Sequence, residues 1–383
     1  MLTCPHPPPL TLITDPHDDV THTRAARTAH NPAEGRLTIH PTPGTRSTLA
    51  LAYDILAALG KPVPLTGYRP LDHRPAWMLC AAWILALPIT HLTLLRAHLL
   101  DPHALEDLLA LRARTGLRLA LVCHQRKVPT VLERALNRTD HYLADAEALL
   151  PAAEAVTTGT RPRTGAPGKP SRRWITLPAL TTLRSLDETD HCSCQPPTAD
   201  ERGFTPPSVP AADRSLIACR LQTATAHPHL AAQLATACHT AASVPQLGTA
   251  RVTDAALDAR TLTFHDPANV RQGCMTHPVP SWARPFLRAT VFLHLLITDS
   301  KGVRLFTDPL GAARLPRLTD FAEQCRLRPP QPLRPKNTRR KTPPPTVWPL
   351  STAHHSTLRE QDSIGFPQLL GHRQPAGRRR HHG

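Results

Sequence analysis

The sequence predicts an α/β fold: a core with a parallel sheet, followed by a mainly α second domain, with a Pro-rich linker and tail that stay disordered. Three observations carry this. Short apolar runs at residues 37–40, 91–95 and 117–123 alternate with stretches of helical periodicity. The second half is dominated by helical patterns. The 43 prolines, against 17 glycines and 4% aromatic residues, concentrate in stretches that cannot build a packed core.

Taken in order, residues 1–35 are rich in proline, histidine and aspartate and read as a flexible lead-in. Residues 36–150 form the predicted α/β domain. Its first strand, Leu37-Thr38-Ile39-His40, is followed by a loop and then by a helix in which Leu49, Leu51, Ala52, Ile55, Leu56 and Leu59 share one face and Gly60 stops the chain. Residues 77–87 read as a buried helix. The second strand runs into a helix with Asp101 as N-cap and Pro102 at its first position, where the missing N–H costs nothing. Gly116 ends that helix, residues 117–123 form a third strand, and residues 128–136 and 141–144 add a helix and a short strand. Residues 151–212 hold ten prolines from Pro151 to Pro210 and read as a linker, with an ordered piece around Trp174. Within 213–328 helices are predicted at 214–226, 230–242, 282–297 and 318–325, and a strand at 261–265. Residues 329–383 read as a basic, Pro-rich tail.

Charge narrows the partners. The net charge is +16, and residues 333–383 hold ten Lys or Arg against Glu360 and Asp362, so this tail supplies half of it. Such a balance attracts polyanions, and duplex DNA is the expected partner. Arg334, Lys336, Arg339, Arg340, Lys341, Arg378, Arg379 and Arg380 are the predicted phosphate contacts, which neutralise charge without reading sequence. Nine scattered cysteines do not make a disulfide scaffold, and the chain starts without an apolar leader, so a reducing cytoplasm is expected. The most apolar window, 76–89, is too short to span a bilayer, so no membrane partner is expected. The segment Asp190-His191-Cys192-Ser193-Cys194 offers soft ligands, but its cysteines are separated by one residue where paired zinc ligands are usually separated by two or more; no metal site is predicted there.

The loop after residue 40 has the register of a phosphate loop. In G-x-x-x-x-G-K-[ST] the glycines let the backbone wrap the phosphates, lysine reaches the terminal oxygens and the hydroxyl holds magnesium. Here the positions read His40, four residues, Thr45, Arg46 and Ser47, with Gly44 one residue off and Thr48 adding a hydroxyl. Gly44, Thr45, Arg46, Ser47, Thr48 and His98 are the predicted nucleotide contacts, and ATP is the cofactor they would hold.

Residues 91–109 resemble the Walker B region of AAA-type ATPases associated with DNA transposition, in which an apolar strand ends in Asp-Glu-Ala-His. Those four positions read Leu95-Arg96-Ala97-His98 here. The resemblance extends over residues 36–136 and implies a P-loop-like core. The family's aspartate positions magnesium and its glutamate orients water; these roles fall on Leu95 and Arg96, so no catalytic residue is assigned. In the second half, residues 230–240, 247–254, 257–263 and 277–287 resemble the catalytic domain of tyrosine recombinases, and His355-Ser356-Thr357-Leu358 and Leu369-Leu370-Gly371-His372-Arg373 resemble its later histidine motifs. The chain's tyrosines are Tyr53, Tyr68 and Tyr142, so that region lacks the nucleophile the family requires. Together these features imply a DNA-associated accessory protein of a mobile element, a pseudoenzyme with an inactive ATP-binding-like domain, working beside a recombinase or transposase. Two alternatives stay open: an active ATPase with a non-standard phosphate loop, the one enzyme class the sequence supports, and a catalytically dead recombinase-like DNA-binding protein.

Overall fold

A computed structural model describes residues 6–42, 47–63, 65, 73–150, 171–184, 192, 194–266, 273–298, 302–311 and 315–331. Gly44, Thr45, Arg46 and the eight basic residues predicted to contact DNA lie outside them.

The α/β core is built from β1 (Leu10–Thr14), α1 (Val20–Thr28), β2 (Arg36–Ile39), α2 (Thr48–Ala58), α3 (His73–Ala86), β3 (His91–Leu94), α4 (Pro102–Thr115), β4 (Arg118–Cys123), α5 (Thr130–Leu136) and β5 (His141–Asp145). All five strands are parallel, in the order β2-β3-β4-β1-β5. Leu12 lies level with Leu121 on one side and Leu143 on the other, and Leu94 with Ile39 and Leu121. A parallel sheet must be covered on both faces. Ile13, Leu95 and Val122 pack with Ala26 of α1 on one face, while α2, α3 and α4 pack together as a layer.

Two expectations change here. Residues 6–35 are not a loose lead-in: β1 sits between β4 and β5 inside the sheet, and Arg112 of α4 holds its approach through the carbonyls of Pro7 and Pro8. The strand at residues 37–40 is therefore the second, and it lies at the sheet's edge. Leu10, Leu12 and Ile13 are a short apolar signal between prolines, and burial in the sheet makes it a strand.

The second half comprises β6 (Ile175–Thr176), α6 (Ala211–Ala224), α7 (Pro228–Thr240), α8 (Val244–Thr249), β7 (Thr261–Phe264), β8 (Met275–Pro278), α9 (Arg284–Ile297), α10 (Leu318–Gln324) and β9 (Leu327–Arg328). The four predicted helices and the predicted strand all form, within a few residues of their expected bounds. His277 and Pro278 end β8 in the antiparallel β7–β8 hairpin, and the chain then leads into α9. The stretch read as linker contributes β6, which pairs with β9. Buried Arg220 secures this pair, donating to the carbonyls of Ser171, Arg173, Cys325 and Arg326.

The halves do not form separate bodies: residues 1–330 make one compact unit, and the chain divides after Pro330, close to the predicted start of the tail. The joint is α3, whose apolar residues 76–84 are all buried. It packs against α2 and α4 within the core and against α9 of the second half, with α7 beyond. Trp83 donates its indole N–H to Ala226 O at 2.8 Å and meets Phe286 edge-on at 6.2 Å. Lys61 lies 3.2 Å above the Trp83 ring and donates to Gln222 O, and Arg288 of α9 donates to Leu85 O. No helix among the described residues is long and apolar enough to cross a membrane.

Candidate functional site

Parallel strands end together, so the residues that follow them form one rim. In open α/β sheets ligands bind at that carboxyl rim, where successive connections leave in opposite directions. Here that place is the end of β1, because the chain leaves it for β2 at the far edge, returns inward through β3 and β4, and then crosses β1 to reach β5.

Asp15, the residue after β1, and His124, the residue after β4, meet at this point. The Asp15 N–H donates to Cys123 O at 3.0 Å, fixing the two strand ends together. His124 Nδ1 lies 3.0 Å from Asp15 Oδ2 and 3.2 Å from Asp18 Oδ1, and the side chains of Asp15 and His124 are each 2% exposed. Two carboxylates at one ring nitrogen place its proton on Nδ1. His124 Nε2 is buried with no hydrogen-bond partner among the described residues. His22 of α1 adds an imidazole, its Nδ1 3.5 Å from Asp15 Oδ1. Cys123 points into the core, away from His124, as alternation along a strand requires.

β3 supplies the opposite wall. Leu95 is fully buried against Ile13 and Val122, whereas Arg96 turns out in a left-handed conformation (φ 55°) and donates to Asp18 Oδ2 at 3.2 Å. Asp18 is left-handed too (φ 48°). Each such non-glycine residue costs about 1–2 kcal/mol, and their ion pair holds the two strained turns face to face. His98 accepts the His124 N–H on its Nδ1 at 3.3 Å, which leaves its proton on Nε2. Burial, then the neighbouring His124 and Arg96, push the His98 pKa down, so this imidazole is neutral. His40, after β2, is pushed down likewise by burial and by Arg96 and Arg27.

The loop from β1 to α1 contains Asp15, Asp18 and Asp19 and no glycine. Asp19 accepts the Thr21 N–H at 2.7 Å, so the positive end of α1 is already capped by a carboxylate of the chain itself. The rim is thus suited to proton sharing or to a cation: ligand atoms of Asp15, Asp18 and His124 all lie within 4.8 Å of one another.

Of the predicted nucleotide residues, Ser47, Thr48 and His98 are described. Ser47 caps α2, its hydroxyl accepting the Leu49 N–H at 3.2 Å, and Thr48 is the first residue of that helix. The preceding Thr42 donates both its N–H and its hydroxyl to Asp54. His98 belongs to the Asp15–His124 group. Sequence reasoning missed Asp15, Asp18 and His124 because it placed the first strand one element too late; the signal was present in Leu10-Thr11-Leu12-Ile13 running into Thr14-Asp15-Pro16. It also set aside Cys192 and Cys194, which the fold brings beside His265 and Cys274. Those two partners lie more than 70 residues downstream, so spacing within the cysteine pair carried too little information. The chain matches no known protein family and no curated protein.

Proposed function

We propose that this is a DNA-associated accessory protein of a mobile element, with a P-loop-like α/β core that no longer hydrolyses ATP. The carrying observation is the acidic loop after β1. A triphosphate at the switch point would face Asp15, Asp18 and Asp19 in place of glycine N–H groups and a lysine. Like charges at about 4 Å repel by about 1 kcal/mol in water and by about 4 kcal/mol near a protein surface. At the positions of the magnesium and water ligands stand Leu95, which is core, and Arg96, which is committed to Asp18. The active-ATPase alternative assigns phosphate to residues 44–48, at an edge strand, where the Ser47 hydroxyl already caps a helix. DNA association is supported by the +16 charge and by the tail's share of it. A recombinase or transposase is the protein partner this reading requires.

The test is a titration of the full chain with radiolabelled ATP and magnesium, and with duplex DNA across a salt series. No turnover and a steep salt dependence of DNA binding are expected. Removing residues 332–383 should flatten the log–log slope by several units, at about 0.9 per phosphate contact. ATP turnover abolished by Arg46→Ala would overturn the inactive core, and salt-insensitive or absent DNA binding would overturn the association. A slope unchanged by the deletion would move DNA contact to residues 213–328, as the recombinase-like alternative requires.

A further inference from the structure

Away from the rim, four soft ligands converge from three places in the chain. Cys192 and Cys194 come from the stretch read as linker, His265 follows β7, and Cys274 precedes β8. Phe264 and Met275 are the last register pair before the connection, so His265 and Cys274 leave the hairpin side by side at its loop end. Residues 197–199 lie along β8 through the pairs Thr276 N–H to Pro197 O and Ala199 N–H to Thr276 O, each 2.9 Å, which delivers the preceding cysteines to the same end. Cys192 Sγ lies 3.0 Å from Cys194 Sγ, 3.1 Å from Cys274 Sγ and 3.7 Å from His265 Nδ1; Cys194 Sγ is 3.9 Å from that nitrogen. The geometry points to a zinc site at Cys192, Cys194, His265 and Cys274, a closed structural centre that staples residues 192–199 to the β7–β8 hairpin.

Three features support a metal over a chance meeting of thiols. The ligand set is complete: three thiolates and one imidazole are a structural zinc set, and with four protein ligands no position stays open for substrate. A tetrahedron with zinc–sulfur bonds of about 2.3 Å separates sulfurs by about 3.8 Å, so a bound ion needs the closest pairs to open by less than about 1 Å. The imidazole is also aimed from behind. His265 turns Nδ1 to the sulfurs and Nε2 to Asp254 Oδ1 at 3.5 Å, while Asp254 Oδ2 accepts the Arg251 N–H at 2.8 Å. A carboxylate behind the distal nitrogen is the usual support of a zinc-bound histidine. Finally, Gly273 adopts a left-handed turn (φ 60°) immediately before Cys274, a backbone conformation that favours glycine. The one-residue spacing of Cys192 and Cys194 is no obstacle, since residues i and i+2 of an extended segment share a face. On binding, the thiols give up their protons to solvent, and three thiolates with one neutral imidazole leave the centre with a net charge of −1.

The test is metal analysis of the full chain purified under reducing conditions. About one zinc per chain is expected. Cobalt in its place should give thiolate-to-metal charge-transfer bands and the visible bands of a tetrahedral ion. Cys192→Ser and Cys274→Ser should lose the zinc, and Cys219→Ser, on exposed α6, should keep it. His265→Cys should also retain the ion, with a spectrum shifted toward four-sulfur ligation. Should the serine variants fail to fold, the cobalt spectrum of the unaltered chain decides. Absence of zinc and of thiolate bands, undiminished zinc in both serine variants, or a Cys192–Cys274 disulfide in freshly thiol-blocked protein would each overturn the assignment.

Discussion

At the scale of single residues, the informative side chains are polar ones that burial forces into pairs. Asp15 is the buried partner of the His124 Nδ1 proton, so Asp15→Ala should cost about 1–3 kcal/mol by leaving that donor only the half-exposed Asp18. Asp18→Ala removes a half-exposed partner and should cost less than about 1 kcal/mol. Urea denaturation of the two variants checks the difference; equal losses would mean the His124 proton is not held by Asp15. Arg220 is a sterner case, a buried guanidinium whose acceptors are main-chain carbonyls on both β6 and β9 flanks. Arg220→Ala should destabilise by about 2–4 kcal/mol, and a loss under about 0.5 kcal/mol would show that water replaces it. Residues whose role is local were legible in the sequence. Asp101 accepts the Ala104 N–H and Gly116 takes the left-handed stop, both as expected, because caps follow from chain neighbours alone. Asp15 with His124, or Cys192 with His265, were not, because only the sheet and the hairpin bring them together.

At the scale of elements, legibility followed the strength of the apolar pattern. α2, α4, α7 and α9 carry enough large side chains to be read directly. α1 has one buried residue, Ala26, and its helix rests on the Asp19 cap, so nothing in its periodicity announced it. Asp19→Ala should therefore cost about 1 kcal/mol, seen as faster amide exchange confined to residues 20–28. α3 was legible as a buried helix but not as a joint, since apolar residues on all sides do not say which neighbour covers each. Trp83→Ala removes the contact shared by the core and α9 and should cost about 3–5 kcal/mol. Limited proteolysis should then cut both halves together; cleavage confined to one would contradict a shared packing.

At the scale of the whole molecule, residues 1–330 group as one unit and the chain divides after Pro330, near the change from apolar to proline- and arginine-rich sequence, whereas composition implied a further break at residues 151–212. Heating should give one transition for residues 1–330. Acid should weaken it: burial holds His229, His239 and His277 each at about 4, below the value of about 6.5 in an unfolded chain. Between these values the unfolded chain binds more protons, so stability present above pH 6.5 is lost as pH falls toward 4, on the order of several kcal/mol in all. A melting temperature flat from pH 7.5 to 4.5 would refute this. The position of β1 inside the sheet has one more consequence, for biogenesis. Thr11 pairs with Ala120 and Tyr142, so β1, synthesised before both partners, has no strand neighbour until the third crossover brings β4. Such late pairing is slow, and it leaves Leu10, Leu12 and Ile13 uncovered until β4 arrives. A charged substitution at His17, exposed between β1 and α1, should then raise yield from nascent chains without altering the melting temperature of the finished fold.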